Sequence, residues 1–163
     1  MRVKFKRIYL CLVLVTSMFF SVLTTGISVR AAGYDINSAV QFAYNNYENS
    51  SCGLCAEFVS RCLRAGGINF NIQTGVGNLY RQLKNTDGFV EYELSKSGQQ
   101  IFANGANAGK VSVGDVLIHY KTGDSKPYEH AMFVTKVNSN GSIAITQRNA
   151  NRKDMAYPAY DGC

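Results

Sequence analysis

Apolar residues return at helical spacing between Asn37 and Lys84 and at strand spacing between Val116 and Asn149, a change of period that restricts the chain to an α+β fold. In the first half, Val40, Phe42, Ala43, Tyr44 and Tyr47 mark a helix over Asn37 to Tyr47, opened by an Asp or Asn cap. A second helix runs from Cys55 to Ala65, where Gly66-Gly67 supplies a left-handed stop. A weaker third, over Gly75 to Lys84, carries Leu79, Tyr80 and Leu83. The second half holds short apolar or alternating runs, Val116 to Tyr120, His130 to Val137 and Ile143 to Asn149. The last two are joined by Asn138-Ser-Asn-Gly-Ser142, a good hairpin connection. Helices therefore precede an antiparallel sheet, and the start of one helix can abut a sheet face. Asn104 to Gly109 reads as loop, and no internal repeat is visible.

The first residues have a different character. Arg2, Lys4, Lys6 and Arg7 precede an apolar run from Ile8 to Leu23, and Val29-Arg30-Ala31 places small residues where a signal peptidase reads them. Residues 1–31 are expected to be a secretory signal peptide, and 32–163 one catalytic domain. Thr16, Ser17 and Ser21 interrupt the apolar run, which disfavours a retained anchor, so no membrane span is expected after cleavage. Cys11 stands in the wrong context for a lipoprotein box. Cleavage also alters the electrostatics. Five of the 17 basic residues leave and none of the 11 acidic ones does, so the net charge falls from +6 to +1. No remaining segment interleaves a basic cluster with aromatics, and nucleic-acid binding is not expected.

Chemistry centres on Cys55 and His130. A thiol at a helix start is biased toward thiolate by unpaired N–H groups and the macrodipole, and a histidine opening a strand can take its proton. The expected Cys55 pKa is therefore depressed. Strand parity brings Gln147 and Asn149 to the open end of the hairpin that His130 begins, where either could hold one imidazole nitrogen and aim the other at the sulfur. A neutral amide fixes orientation and tautomer but stabilises an imidazolium less than a carboxylate does. Backbone N–H groups at the helix start are natural oxyanion donors, with Tyr47 or Asn49 as weaker candidates.

Other residues read as structural. Cys62 shares a helical face with Phe58, Val59 and Leu63 and is expected to be a buried thiol. Cys52 and Cys163 either form a bridge or both stay free. Cys52-Gly-Leu-Cys55 has the spacing of a redox pair or half a zinc site, but no second such motif accompanies it. His119, alternating with Leu117, reads as a structural or partly exposed histidine. Glu57 suits the first helical turn and should point away from the sulfur, while Gly114-Asp115 suits a turn entering a strand.

The segments Cys55-Ala-Glu-Phe-Val-Ser60 with Gly66-Gly67, then Gly114-Asp115-Val116, then His130 and Gln147-Arg148-Asn149, resemble papain-like amidohydrolases of bacterial cell-wall metabolism. The likeness is greatest to the amidase domain of Gram-positive bacteria and to CHAP domains, with NlpC-type endopeptidases more distant. Tyr34-Asp-Ile-Asn-Ser-Ala-Val-Gln-Phe-Ala-Tyr44 also looks like the start of the amidase domain. The resemblance implies a papain-like fold, cleavage of peptidoglycan amide bonds without metal or other cofactor, and a protein secreted to the envelope of a Gram-positive bacterium. It matches Cys55 to the nucleophile and His130 to the general base. CHAP domains often carry an acid 17 residues after the histidine and an asparagine 19 after it, positions that hold Gln147 and Asn149 here. The chain also has no Trp, where related amidase domains tend to have it between nucleophile and histidine.

The expected activity is thus a muramoyl-alanine amidase or stem-peptide endopeptidase, acting as a monomer through a thioester of Cys55, with peptidoglycan as its partner. An exported lytic toxin of the same fold and a catalytically weak wall-binding module are the alternatives.

Overall fold

A computed structural model describes residues 31–93, 99–103, 111–120, 128–139 and 142–157. Among the described residues three α-helices come first: α1 (Ile36–Asn46), α2 (Cys55–Ala65) and α3 (Val76–Lys84). Six strands follow: β1 (Val90–Glu93), β2 (Gln99–Ala103), β3 (Val116–Tyr120), β4 (Tyr128–Val137), β5 (Ile143–Gln147) and β6 (Arg152–Tyr157). They form one antiparallel sheet whose spatial order is the sequence order, so the α+β arrangement is as expected. The expected loop from Asn104 to Gly109 and Cys163, the possible bridge partner of Cys52, lie outside the described residues, as does the expected signal peptide apart from Ala31. Among the described residues no helix is long and apolar enough to cross a membrane.

Each helix end has a local cause. The Asp35 carboxylate opens α1 by accepting from the N–H groups of Asn37 and Ser38 at 3.0 and 3.2 Å, satisfying donors that the helix leaves unpaired. At the end of α2, Gly67 takes a φ of 87°. Its N–H donates to Arg64 O at 2.9 Å and the Ile68 N–H to Leu63 O at 3.1 Å, the paired bonds of a Schellman stop. A short 3-10 turn, Ser50–Cys52, joins α1 to α2, with Asn49 as its cap.

The sheet divides the apolar residues into two layers. Phe58, Val59, Cys62 and Leu63 of α2 and Leu79 and Leu83 of α3 pack with Val116, Ile118, Ala131 and Phe133 on one face. Leu117, Met132, Val134, Ile143, Ile145 and Tyr157 cluster on the other. Burying a side chain such as Phe58 or Leu63 completely contributes about 1.5–3 kcal/mol, so these contacts fix α2 against β4. Stacking of Tyr80 on Tyr128, with ring centroids 4.3 Å apart, docks α3 on the start of the same strand.

Three irregularities in the sheet gather polar groups. Register shifts fall at His119/Tyr120, Val134/Lys136 and Ile145/Gln147. At the latter two, Thr135 Oγ1 donates to Asp154 Oδ1 at 2.8 Å, the Asp154 N–H donates to Thr146 Oγ1 at 3.2 Å, and Tyr44 from α1 donates to Asp154 at 2.9 Å. Lys136 completes the cluster by pairing with the Asp154 carboxylate. Gly114-Asp115 is structural, as expected. Asp115 is buried and its carboxylate accepts from the Ser112 N–H at 2.7 Å, while Tyr34 donates to Gly114 O at 3.0 Å.

Candidate active site

Cys55 is the first residue of α2 and is 5% exposed. Its sulfur lies against the backbone N–H of Ala131, the residue after His130, and also meets the N–H groups of Ala56 and of Cys55 itself. That ring of donors is what a helix start facing a strand supplies, and it suits a developing negative charge. Among the described residues no hydrogen bond joins the thiol to the His130 ring.

The imidazole is held from the opposite side. His130 Nε2 lies 2.7 Å from Gln147 Oε1, and the amide oxygen accepts, so Nε2 carries the proton and Nδ1 keeps a lone pair. Gln147 ends β5 and is fully buried, so its side chain has little freedom to swing away. Asn149 has a different place. The strand expected to reach it stops at Gln147, and Asn149 sits exposed in the following turn with a φ of 85°. Between the two amides left open by strand parity, Gln147 is the one that holds the ring.

Burial changes the expected charge state. It pushes the Cys55 thiol above its ordinary pKa, against the pull of the Ala131, Ala56 and Cys55 N–H groups. The sequence predicts a depressed value; the structure overturns that, because a thiolate loses more from desolvation than it gains from the donors. Burial likewise holds the His130 imidazole below its usual range, opposed by the bond to Gln147 and reinforced by the neighbouring His119. Burial thus pushes both the Cys55 thiol and the His130 imidazole toward their neutral forms.

Neighbouring residues take structural positions. The Glu57 carboxylate accepts from the Leu54 N–H at 3.1 Å, committing it to the helix start. Leu54 itself is 62% exposed, an apolar side chain at the lip of the site. Asn49 Oδ1 accepts from the Ser51 N–H and hydroxyl, and its amide donates to Asn46, so turn formation occupies the side chain. Tyr47 packs against the helix-side core and hydrogen-bonds Glu48. Cys52 and Cys62 are buried free thiols, and Cys52 donates to Asn46 Oδ1 at 3.6 Å. No cluster of metal-ligating side chains occurs among the described residues.

His119 is better placed than its sequence context suggests. It faces His130 across β3 and β4 in register, and its Nδ1 lies 4.0 Å from Glu129 Oε2. Alternation along one strand could not reveal that, because it depends on the register between two.

A helix-start thiol set against the strand of an amide-held histidine, on an α+β scaffold, is an arrangement suited to nucleophilic hydrolysis. Residues 30–161 match the family model described as the Putative amidase domain, and the chain belongs to that family. Membership points to hydrolysis of amide bonds. No curated protein and no solved structure matches the chain.

Proposed function

We propose that the protein is a secreted cysteine amidohydrolase of papain-like type that cleaves amide bonds of peptidoglycan, with Cys55 as nucleophile, His130 as general base and Gln147 as the group that orients the base. The observation that carries this reading is the contact of the Cys55 sulfur with the N–H of Ala131, the residue in β4 that follows His130, whose Nε2 lies 2.7 Å from Gln147 Oε1. With Nε2 protonated, the Nδ1 lone pair is the base.

The sulfur attacks the amide carbonyl as its proton passes to His130. The carbonyl oxygen gains negative charge and is met by backbone N–H groups at the start of α2. Collapse expels the amine, which takes the proton from His130, and leaves a thioester on Cys55. Water, deprotonated by the same imidazole, then hydrolyses the thioester and restores the thiol. Gln147 keeps the tautomer through both halves without carrying charge.

The test incubates the protein lacking residues 1–31, and its Cys55→Ala variant, with purified peptidoglycan and identifies soluble fragments by mass spectrometry. The parent protein should release fragments with new amide-derived ends, and the variant none. Equal release from both would remove Cys55 as nucleophile. No release from either would remove peptidoglycan as substrate.

A further inference from the structure

We infer that Arg148 is a positioning residue that sets the approach of Cys55 to His130, an inference that rests on the Cys55/His130 reading above. Arg148 directly follows Gln147, and its guanidinium bridges two segments at the surface: Nε donates to Asn49 O at 3.2 Å and Nη1 to Asn151 Oδ1.

The two ends of that reach belong to different halves of the machinery. On the sheet side, the backbone carrying Arg148 also carries Gln147, which holds His130. On the helix side, Asn49 caps the Ser50–Cys52 turn that leads through Gly53 and Leu54 to Cys55. Asn49 is itself fixed, bonded to Ser51 on one side and to Asn46 at the end of α1 on the other. The carbonyl that Arg148 meets therefore belongs to a hydrogen-bonded turn on the approach to Cys55.

The turn that presents Arg148 has a defined backbone. Asn149 and Asn151 have φ of 85° and 49°, and Asp154 has 49°, three residues in the left-handed region within one hairpin. Asn and Asp are the non-glycine residues that adopt this region most readily, so the sequence itself favours the turn. Here the left-handed Asn151 turns its side-chain oxygen onto the guanidinium. The planar fork of arginine can meet two acceptors in fixed directions, which a lysine ammonium cannot. Arg148 does not touch the reacting atoms. It fixes the distance between the elements that carry them.

The test follows alkylation of the full chain by iodoacetamide across a pH series, resolved at Cys55 by peptide mass spectrometry, with thermal melting as a control. His130→Ala should slow Cys55 labelling near neutral pH. Arg148→Ala should slow it by about ten-fold, since misplacement near 1 Å costs up to about a hundred-fold in positioned reactions. It should also move the pH midpoint toward that of the His130→Ala variant. Arg148→Lys should recover part of the rate. Asn151→Gly keeps the left-handed backbone while removing Oδ1, and should show a smaller slowing; it decides the matter if Arg148→Ala fails to fold. Wild-type labelling in the folded arginine variant, beside slow labelling in His130→Ala, would overturn this inference alone. Wild-type labelling in His130→Ala would overturn the Cys55/His130 reading and this inference with it.

Discussion

Replacing Gly53 with alanine should destabilise the protein by about 2–4 kcal/mol, through two separable effects. Gly53 has a φ of 70° and a ψ of −152°, a region essentially confined to glycine, where a side chain costs about 1–3 kcal/mol. A Cβ there would also lie 1.6 Å from Glu57 Oε2 and 2.2 Å from its Cδ, so the carboxylate must leave the Leu54 N–H that it caps. Losing a charge-assisted bond at a helix start adds about 1 kcal/mol. The two effects separate in a double-mutant cycle measured by urea denaturation. Glu57→Ala alone should cost about 1 kcal/mol, because it removes the cap without touching the backbone. Gly53→Ala in that background should then cost its backbone part and the remaining clash with the residue-57 Cβ, but no longer the cap, which is already gone. The contact at 2.8 Å to the Glu57 Cβ persists in both backgrounds and cancels. The expected coupling is about 1 kcal/mol, well above the scatter of about 0.3–0.5 kcal/mol seen for independent sites. Strictly additive losses would refute the claim that Gly53 is glycine to make room for the Glu57 cap.

Two further outcomes concern His130. The base must be unprotonated, so kcat/KM should rise with pH through a value below the ordinary imidazole value of 6.5, and Gln147→Glu should move that acid limb upward by about one unit or more; an unmoved limb would mean that the residue does not govern the base. Because the folded-state pKa is lowered, the unfolded chain binds the proton more readily, so the stability tied to neutral His130 is present above 6.5 and lost as pH falls toward the folded value. Equilibrium unfolding of His130→Gln should show a flatter stability profile across that window, and an identical profile would contradict a buried, depressed imidazole.

The helices were legible because their signals are local. Cys55 and Ala65 bound α2 as the sequence predicts, and α1 and α3 differ from expectation by one residue at their ends. The strands were legible only where they are apolar. Val116–Tyr120 reads correctly, but β6, Arg-Lys-Asp-Met-Ala-Tyr, has no alternation strong enough to announce a strand and exists because it pairs with β5. β1, Val-Glu-Tyr-Glu, and β2, Gln-Gln-Ile-Phe-Ala, are too short to announce themselves and are likewise defined by their pairing. β4 begins two residues before His130, at a bulge opposite His119/Tyr120 that no periodicity marks. At the site, residue types named Cys55, His130 and Gln147, yet parity along an overlong β5 kept Asn149 in contention. The direction of the thiol's pKa shift was hidden because helix position can be read from sequence and desolvation cannot.

Since every strand pairs with the one before it, the sheet can assemble as successive hairpins, each closing a short loop. The candidate catalytic pair is exempt from that economy. Cys55 and His130 are joined through the seating of α2 on β4, and Asn49 meets Arg148 across a sequence separation of 99. A nascent chain can therefore hold most of its hydrogen-bonded sheet while its thiol remains an ordinary cysteine, and reactivity at Cys55 becomes a reporter of the last long-range step in folding rather than of secondary structure. Pulse alkylation during refolding should find Cys55 acquiring its native rate only after the β-sheet signal is complete; native reactivity appearing before the sheet would contradict this order.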